Sequence, residues 1–187
     1  MNQEDCFYHL DKFPDLPQQY MQEGLTVEYQ HAYGDGHTDA NLYEAHSKIV
    51  QSDFIKALNL KYFTKNTGSV ECTAVPLYLK NEPMQGYEWH VDEIRTCAIN
   101  FLITDSSVAC TMFRKKINSF YFKIMGTVPY VVGRPFLFNT QIEHTVLNTT
   151  NEDRIILSVG LYGPSYYEVK EFLSKIPPLD NNYNFIK

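Results

Sequence analysis

The spacing of apolar residues changes once along this chain of 187 residues. Between Thr38 and Leu60 apolar side chains recur near helical spacing, and Thr38 or Asp39 can serve as N-cap, which predicts a helix. From Val70 onward, short runs rich in β-branched and aromatic residues alternate with turn-prone pieces. Such runs are typical of the strands of an antiparallel sandwich or barrel, and they cover residues 73–79, 97–103, 119–125, 129–133, 135–139 and 154–162.

A second helix is predicted near the C-terminal end. Ser165 and Glu168 have capping-box spacing, an apolar stripe follows, and Pro177-Pro178 would stop the helix. The fold class is therefore mainly β with flanking helices, an antiparallel sandwich or barrel. We expect a single domain with three parts: a helical N-terminal part over 1–69, a β-barrel core over 70–162, and a C-terminal helix and tail over 163–187.

Composition supports the sheet-rich prediction and narrows the partners. Fourteen Tyr and 12 Phe favour a sheet over a helical bundle. The net charge of −6 disfavours nucleic acid as a partner, and the one basic cluster, Arg114 to Lys116, is interpreted as an exposed turn between strands. The four cysteines show no zinc spacing, and Cys97 and Cys110 are predicted to be small core residues. No signal peptide or apolar span is visible, so we expect a soluble, cytoplasmic protein without a membrane partner.

The stretch "YEWHVDEIRTCAINF", residues 87–101, reads as an extended segment that carries two polar side chains in one direction. His90 and Asp92 are two apart, which on a strand places them on the same face. His144 follows in a second extended segment. Two imidazoles and a carboxylate are the parts of the facial triad that binds Fe(II) and leaves positions open. A second pair, His37 and Asp39, precedes the predicted helix and is interpreted as structural.

Arg154 opens the strand "RIILSVG" ten residues after His144. Alternation places Arg154, Ile156 and Ser158 on one face, which would be the barrel interior. A guanidinium inside an apolar barrel is costly unless it meets an anion. A dicarboxylate co-substrate would supply one, with Ser158 as an added donor.

These residues resemble the Fe(II)/2-oxoglutarate-dependent oxygenases, which are built on a double-stranded β-helix. His90-Val91-Asp92, His144 and Arg154 match that family's motif in order and spacing. The piece "FLFNTQIEHTVLNTTNEDRIIL" is most similar to the aspartyl/asparaginyl β-hydroxylase branch, although several members of that branch lack the carboxylate. The segment before His90 is also similar to prolyl hydroxylases, in which an upstream tyrosine helps to hold 2-oxoglutarate; Tyr78 fits that place. The resemblance covers roughly residues 70–162.

The resemblance implies an oxygenase that couples oxidative decarboxylation of 2-oxoglutarate to oxidation of a substrate C–H bond, with O2 as co-substrate. Fe(II) would be held by His90, Asp92 and His144, and 2-oxoglutarate by Arg154, with contacts from Ser158, Tyr78 and Asn100. For Tyr78 and Asn100, packing or hydrogen bonding in the core is the alternative.

Two other functions stay open at this point: a cupin-like metalloenzyme that does not use 2-oxoglutarate, and an inactive β-barrel binding module. The substrate could be a protein or peptide side chain or a small molecule, and the oligomeric state is open. Residues 80–88 and 104–120, with the N-terminal part, are the candidates for the mouth of the site.

Overall fold

The structure is a computed structural model that describes residues 2–32, 42–51, 55, 64–65, 68–69, 72–105 and 110–175. Its helices are α1 (Gln3–Cys6), α2 (Gln18–Thr26), a 3-10 helix (Lys48–Gln51) and α3 (Tyr166–Lys175). Its strands are β1 (Phe7–His9), β2 (Gln30–His31), β3 (Leu42–His46), β4 (Thr64–Lys65), β5 (Gly68–Ser69), β6 (Thr73–Asn81), β7 (Cys97–Leu102), β8 (Cys110–Lys116), β9 (Phe122–Thr127), β10 (Pro135–Phe138), β11 (His144–Leu147) and β12 (Arg154–Tyr162).

Two antiparallel sheets form the body of the molecule. The larger has the order β1-β10-β7-β12-β6-β3-β2, and the smaller has the order β11-β8-β9. Isolated bridges from Gly86 to Leu147 and from His90 to His144 add a short fourth segment beside β11. Phe113 of β8 packs on Phe138 of β10 with ring centroids 5.0 Å apart, which joins the sheets face to face. This is the predicted double-stranded β-helix.

Strand β12 separates two environments by alternation, because successive side chains of a strand point to opposite faces. Ile155, Leu157, Val159 and Leu161 belong to the core cluster on the helix side of the large sheet. Arg154, Ile156 and Ser158 line a cavity between the sheets. The predicted parity of this strand is therefore confirmed.

The helices cover the outer face of the large sheet. Tyr166, Val169 and Leu173 of α3 are buried there, as is Tyr20 of α2. The predicted capping box is present, since the Ser165 backbone N–H donates to Glu168 Oε2 at 2.8 Å. Pro177 and Pro178 lie outside the described residues. None of the helices in the described part of the chain is long and apolar enough to cross a membrane.

The helix predicted over 38–60 is wrong for residues 42–51, whereas Ile55 is helical. Residues Leu42–His46 form β3, which pairs antiparallel with β6, and a 3-10 helix follows at Lys48–Gln51. The free backbone edge of β6 gives this segment hydrogen-bond partners that helical spacing of apolar residues does not reveal. Thr38 and Asp39 lie outside the described residues.

Three other expectations need correction. The run at 129–133 is not a strand and makes one isolated bridge, from Val132 to Leu102. The basic cluster Arg114 to Lys116 ends strand β8 and is not a turn. Cys97 is fully buried, as predicted, and its burial raises the pKa of the thiol to about 12, but Cys110 is only half-buried.

Candidate metal centre and co-substrate pocket

The two histidines of the predicted triad are directly opposite each other on adjacent segments at the edge of the smaller sheet. The His90 backbone N–H donates to the His144 carbonyl at 3.0 Å, and the His144 N–H returns a bond of 2.8 Å to His90. Residues paired in this way project their side chains from the same face. Their ring centroids are accordingly 4.3 Å apart.

Asp92 reaches the same point from a loop and not from a strand, which corrects the expectation of one continuous strand over 87–101. Its backbone N–H donates to the Thr140 carbonyl at 3.1 Å, and Gln141 Nε2 donates to the Asp92 carbonyl at 2.9 Å. The turn before β11 therefore holds this loop. The Asp92 Oδ1 atom lies 3.6 Å from His90 Nε2 and 3.8 Å from His144 Nε2.

Each histidine is oriented by a backbone carbonyl two residues earlier. His90 Nδ1 lies 2.8 Å from the Glu88 oxygen, and His144 Nδ1 lies 2.8 Å from the Ile142 oxygen. A neutral imidazole that donates from Nδ1 leaves the Nε2 lone pair free for a metal. Burial lowers the pKa of His144 to about 4, which keeps that ring neutral near pH 7.

The residues present fit a divalent metal. One ligand atom from each of the three side chains lies within 4.8 Å of the others. Adjacent ligands of an octahedral ion with bonds of about 2.1 Å are roughly 3.0 Å apart, so a small inward shift closes the site. Asp92 Oδ1 is buried and has no hydrogen-bond partner among the described residues, as expected of an atom that binds a metal.

A buried arginine forms the other polar end of the cavity. Arg154 is 1% exposed, and no carboxylate of the described residues lies within ion-pair distance of it. Its Nη2 donates to the Tyr130 hydroxyl at 2.6 Å and its Nη1 to Asn81 Oδ1 at 3.2 Å, while Nε has no partner among the described residues. A buried guanidinium whose partners among the described residues are all neutral can bind an anion.

Ser158 and Asn100 line the same cavity, as the predicted contacts require. They are directly opposite each other on β12 and β7. The buried Asn100 Oδ1 has no hydrogen-bond partner in the described part of the chain. The Ser158 hydroxyl accepts a bond of 3.2 Å from Arg95 Nη1.

Tyr78 lies on the other face of the large sheet, which corrects its predicted role as a co-substrate contact. It pairs with Leu157 of β12, whereas its neighbour Leu79 pairs with Ile156 and lines the cavity. The buried Tyr78 hydroxyl lies 2.8 Å from both the Tyr20 carbonyl and Glu23 Oε2. Tyr78 therefore belongs to the core beneath α2.

Tyr130 and Arg95 are among the polar residues of the cavity that reasoning from the sequence missed. Tyr130 contacts Arg154 from a segment that was expected to be a strand. Arg95 Nε donates to Asp92 Oδ2 at 2.6 Å, which leaves Oδ1 directed at the histidines. Arg95 fits there because Gly160 has no side chain, since a Cβ at that position would come within 2.9 Å of Arg95 Cδ. The short spacing from Asp92 to Arg95 was the available signal.

The ring of Trp89 covers the Arg114 guanidinium, which lies 4.3 Å from the ring centroid. Phe101 is buried on the helix side of the large sheet. The alternative pair at His37 and Asp39 lies outside the described residues.

No protein-family model matches the sequence, and no curated protein matches it either. Solved structures match in fold. A Pseudomonas putida prolyl-4-hydroxylase is similar with a TM-score of 0.50 and 13% identity over 84% of this chain and 91% of that chain. The non-heme alpha ketoglutarate dependent epimerase SnoN from nogalamycin biosynthesis is similar with a TM-score of 0.52 and 14% identity, over 94% and 86% of the two chains.

A third similar structure is a Trichoplax adhaerens prolyl hydroxylase in complex with a hypoxia inducible factor peptide fragment, with a TM-score of 0.51 and 11% identity over 91% and 86% of the two chains. At these identities the similarity shows the fold, a double-stranded β-helix of the kind found in 2-oxoglutarate and Fe(II)-dependent oxygenases. The His90, Asp92 and His144 donor set, found independently of that similarity, fits a divalent metal such as Fe(II).

Proposed function

We propose that this protein is an Fe(II)/2-oxoglutarate-dependent oxygenase that hydroxylates a C–H bond of a protein side chain or a small molecule. The observation that carries the proposal is Arg154, a buried guanidinium without a carboxylate partner among the described residues, in a cavity that His90 and His144 also line. A metal site alone would also suit a cupin-like enzyme that does not use 2-oxoglutarate, but such an enzyme has no need of a buried anion site.

The candidate ligands and the polar residues around Arg154 have separate roles in this proposal. His90, Asp92 and His144 would hold Fe(II), which with 2-oxoglutarate and O2 supplies the oxidising power for C–H oxidation. Arg154 would pair with the distal carboxylate of 2-oxoglutarate, with Tyr130 and Asn81 keeping the guanidinium in place. Ser158 and Asn100 would offer further hydrogen bonds along the co-substrate.

The remaining residues position this machinery. Arg95 neutralises one oxygen of Asp92 and so directs the other at the metal. Phe138 packs edge-on against His144 with ring centroids 4.8 Å apart, which holds the ring and keeps water from one side. Together these contacts hold the ligands before a metal arrives.

The test is an anaerobic titration of the metal-free protein with Fe(II) and then 2-oxoglutarate, monitored by the weak visible charge-transfer band of the chelate. We expect the band in the wild type. In Arg154→Ala we expect Fe(II) affinity to persist and 2-oxoglutarate affinity to fall at least about 30-fold, since a buried charge-assisted pair is lost.

Arg134→Ala is the matched control, because Arg134 is an exposed arginine outside this cavity. It should change neither affinity. Unchanged 2-oxoglutarate affinity in Arg154→Ala would refute the anion site. Iron binding without a band would favour the cupin-like enzyme, and no iron binding would leave a β-barrel binding module.

A further inference from the structure

The hairpin formed by β8 and β9, residues 110–127, differs in charge from the rest of the chain. It carries four of the 16 basic residues and no acidic residue, whereas all 22 acidic residues lie elsewhere in a chain of net charge −6. The four are Arg114, Lys115, Lys116 and Lys123. A positive hairpin on an acidic protein attracts negatively charged partners to that part of the surface.

Two of these lysines lie close together on neighbouring strands. Lys115 and Lys123 are directly opposite each other in the β8–β9 pair, and both are exposed. No carboxylate of the described residues forms an ion pair with either. Like charges opposite each other destabilise a strand pair, so this arrangement suits an anion that another molecule supplies.

The other face of the same strand is apolar and exposed. Phe122 is 44% exposed and Ile124 50% exposed, and at the hairpin tip Phe120 reaches 87%. The tip is an ordered turn, since Asn118 Oδ1 accepts from the backbone N–H groups of Phe120 and Tyr121. Exposed large apolar side chains grouped in this way mark an interaction surface.

Strand β9 also has a free edge. Among the described strands, β8 is its only neighbour in the smaller sheet. Its C-terminal end is covered, since Gly126 lies against Phe7 and Gln3, while Phe122, Lys123 and Ile124 are exposed. An extended segment of another chain can therefore add to this edge by backbone hydrogen bonding.

Arg114, in the middle of the hairpin, contacts residues next to the two histidines of the metal site. The Arg114 guanidinium lies between the rings of Trp89 and Phe122, at 4.3 and 4.0 Å from their centroids, and pairs with Glu143 Oε1 at 2.5 Å. Trp89 directly precedes His90, and Glu143 directly precedes His144. Arg114 thereby links the hairpin to the residues that directly precede both histidines of the candidate metal centre.

We propose that the β9 edge, defined by Phe122, Lys123 and Ile124, docks an extended acidic polypeptide segment in which acidic and apolar residues alternate. Side chains of an added strand alternate between faces, so one set would meet Phe122 and Ile124 and the other Lys123 with Lys115 behind it. Docking at the β9 edge does not depend on the proposed function. The inference rests on that function only in one respect, that the docked polypeptide carries the side chain that is oxidised.

Charge argues against the other occupants. A second copy of the hairpin would bring four more cations to the same edge, and a polynucleotide extending past the hairpin would meet a surface with 22 acidic residues against 12 basic ones. A short acidic segment matches both the positive hairpin and its acidic surroundings.

The probe is the fluorescent peptide Glu-Leu-Glu-Val-Glu-Leu-Glu, measured by anisotropy against the metal-free protein. We expect saturable binding that weakens with added salt. A peptide of the same composition with its glutamates in one block should bind at least tenfold more weakly. The double variant Lys115→Glu/Lys123→Glu should lose at least tenfold in affinity and should instead bind Lys-Leu-Lys-Val-Lys-Leu-Lys. That reversal would not follow from misfolding.

Lys12→Glu/Lys175→Glu, which changes two exposed lysines away from the hairpin, is the matched control and should bind the acidic peptide normally. Equal binding by the hairpin variant would overturn the proposal. So would tighter binding of a thymidine 12-mer than of the peptide, or self-association of the protein that the hairpin variant abolishes. Because no metal is present, peptide binding can succeed or fail independently of the iron and 2-oxoglutarate titration.

Discussion

At the scale of single residues, the site depends on which nitrogen of each histidine is free. Glu88 and Ile142 present carbonyl oxygens to the Nδ1 atoms of His90 and His144, and the same i−2 relation recurs in both segments. Because the tautomer is set by backbone atoms, side-chain substitutions nearby should leave it intact. The two histidines are therefore preorganised by contacts with the local backbone.

Burial of His144 predicts a pH dependence of stability. The pKa of the folded residue is lowered to about 4, while an unfolded histidine titrates near 6.5. Between about pH 6.5 and pH 4, His144 is protonated in the unfolded state and neutral in the folded state. The free energy of unfolding therefore decreases as the pH is lowered from 6.5 to 4. The loss attributable to His144 should approach about 3 kcal/mol by pH 4.

Urea unfolding of the chelator-treated protein between pH 4 and 7 measures this dependence. His144→Gln should show a shallower loss of stability over that range, whereas His46→Gln, which removes an exposed imidazole, should follow the wild type. Equal pH profiles for His144→Gln and the wild type would contradict the assignment.

Tyr78 provides a test of the correction made above. Tyr78→Phe removes a hydroxyl that lies 2.8 Å from both Tyr20 and Glu23, so the free energy of unfolding should fall by about 1–2 kcal/mol. Its affinity for 2-oxoglutarate should not change. Tyr167→Phe, at an exposed tyrosine, should have little effect on either; a selective loss of 2-oxoglutarate affinity in Tyr78→Phe would restore the original prediction.

At the scale of secondary-structure elements, β12 contributes to both the core and the site. Alternation along β12 could be predicted from the sequence because side-chain direction in a strand is a local property. The same rule, applied to β6 through its pairing with β12, places Tyr78 outside and Leu79 and Asn81 inside. That step required the register, which depends on contacts far apart in the chain.

The first described part of the helix predicted over 38–60, residues 42–51, is wrong for a related reason. Leu42–His46 completes the edge of β6, and a backbone partner supplied by tertiary structure outweighs a weak helical pattern. The C-terminal helix was predicted correctly because its capping box and apolar stripe are both local.

The cap of α3 carries a prediction of its own. Ser165→Ala removes the hydroxyl that faces Glu168 Oε2 at 2.7 Å, and it should destabilise the protein by about 1 kcal/mol. Thermal unfolding measures this change. Ser174→Ala, in the last turn of the same helix, is the control and should cost clearly less; equal losses would mean that the cap contributes nothing specific.

At the scale of the whole molecule, ligand binding at either end of the cavity should stabilise the folded protein. A ligand at 100 times its Kd stabilises the folded state by about 2.7 kcal/mol. For a chain of this size, each of the two ligands, Fe(II) and 2-oxoglutarate, should raise Tm by about 5–10 °C under anaerobic conditions, and both together by about 10–20 °C. Scanning calorimetry with each ligand alone and with both measures the increments.

Variants assign the two increments to the two ends of the cavity. His144→Gln should lose the increment from Fe(II), whereas Arg154→Ala should keep it and lose the further rise with 2-oxoglutarate. A 2-oxoglutarate increment that persists in Arg154→Ala would place the anion elsewhere.

The sequence by itself determined the order and spacing of His90, Asp92, His144 and Arg154, and the parity that sends Arg154 and Ser158 to one face. These are properties of short segments, and a motif retains them whatever surrounds it. Only the tertiary structure decided that Tyr130 meets Arg154, that Arg95 pairs with Asp92, and that Tyr78 faces the helices. Those contacts depend on strand register and on the paths of loops, which are set by the packing of the whole chain and leave no periodic pattern in the residues themselves.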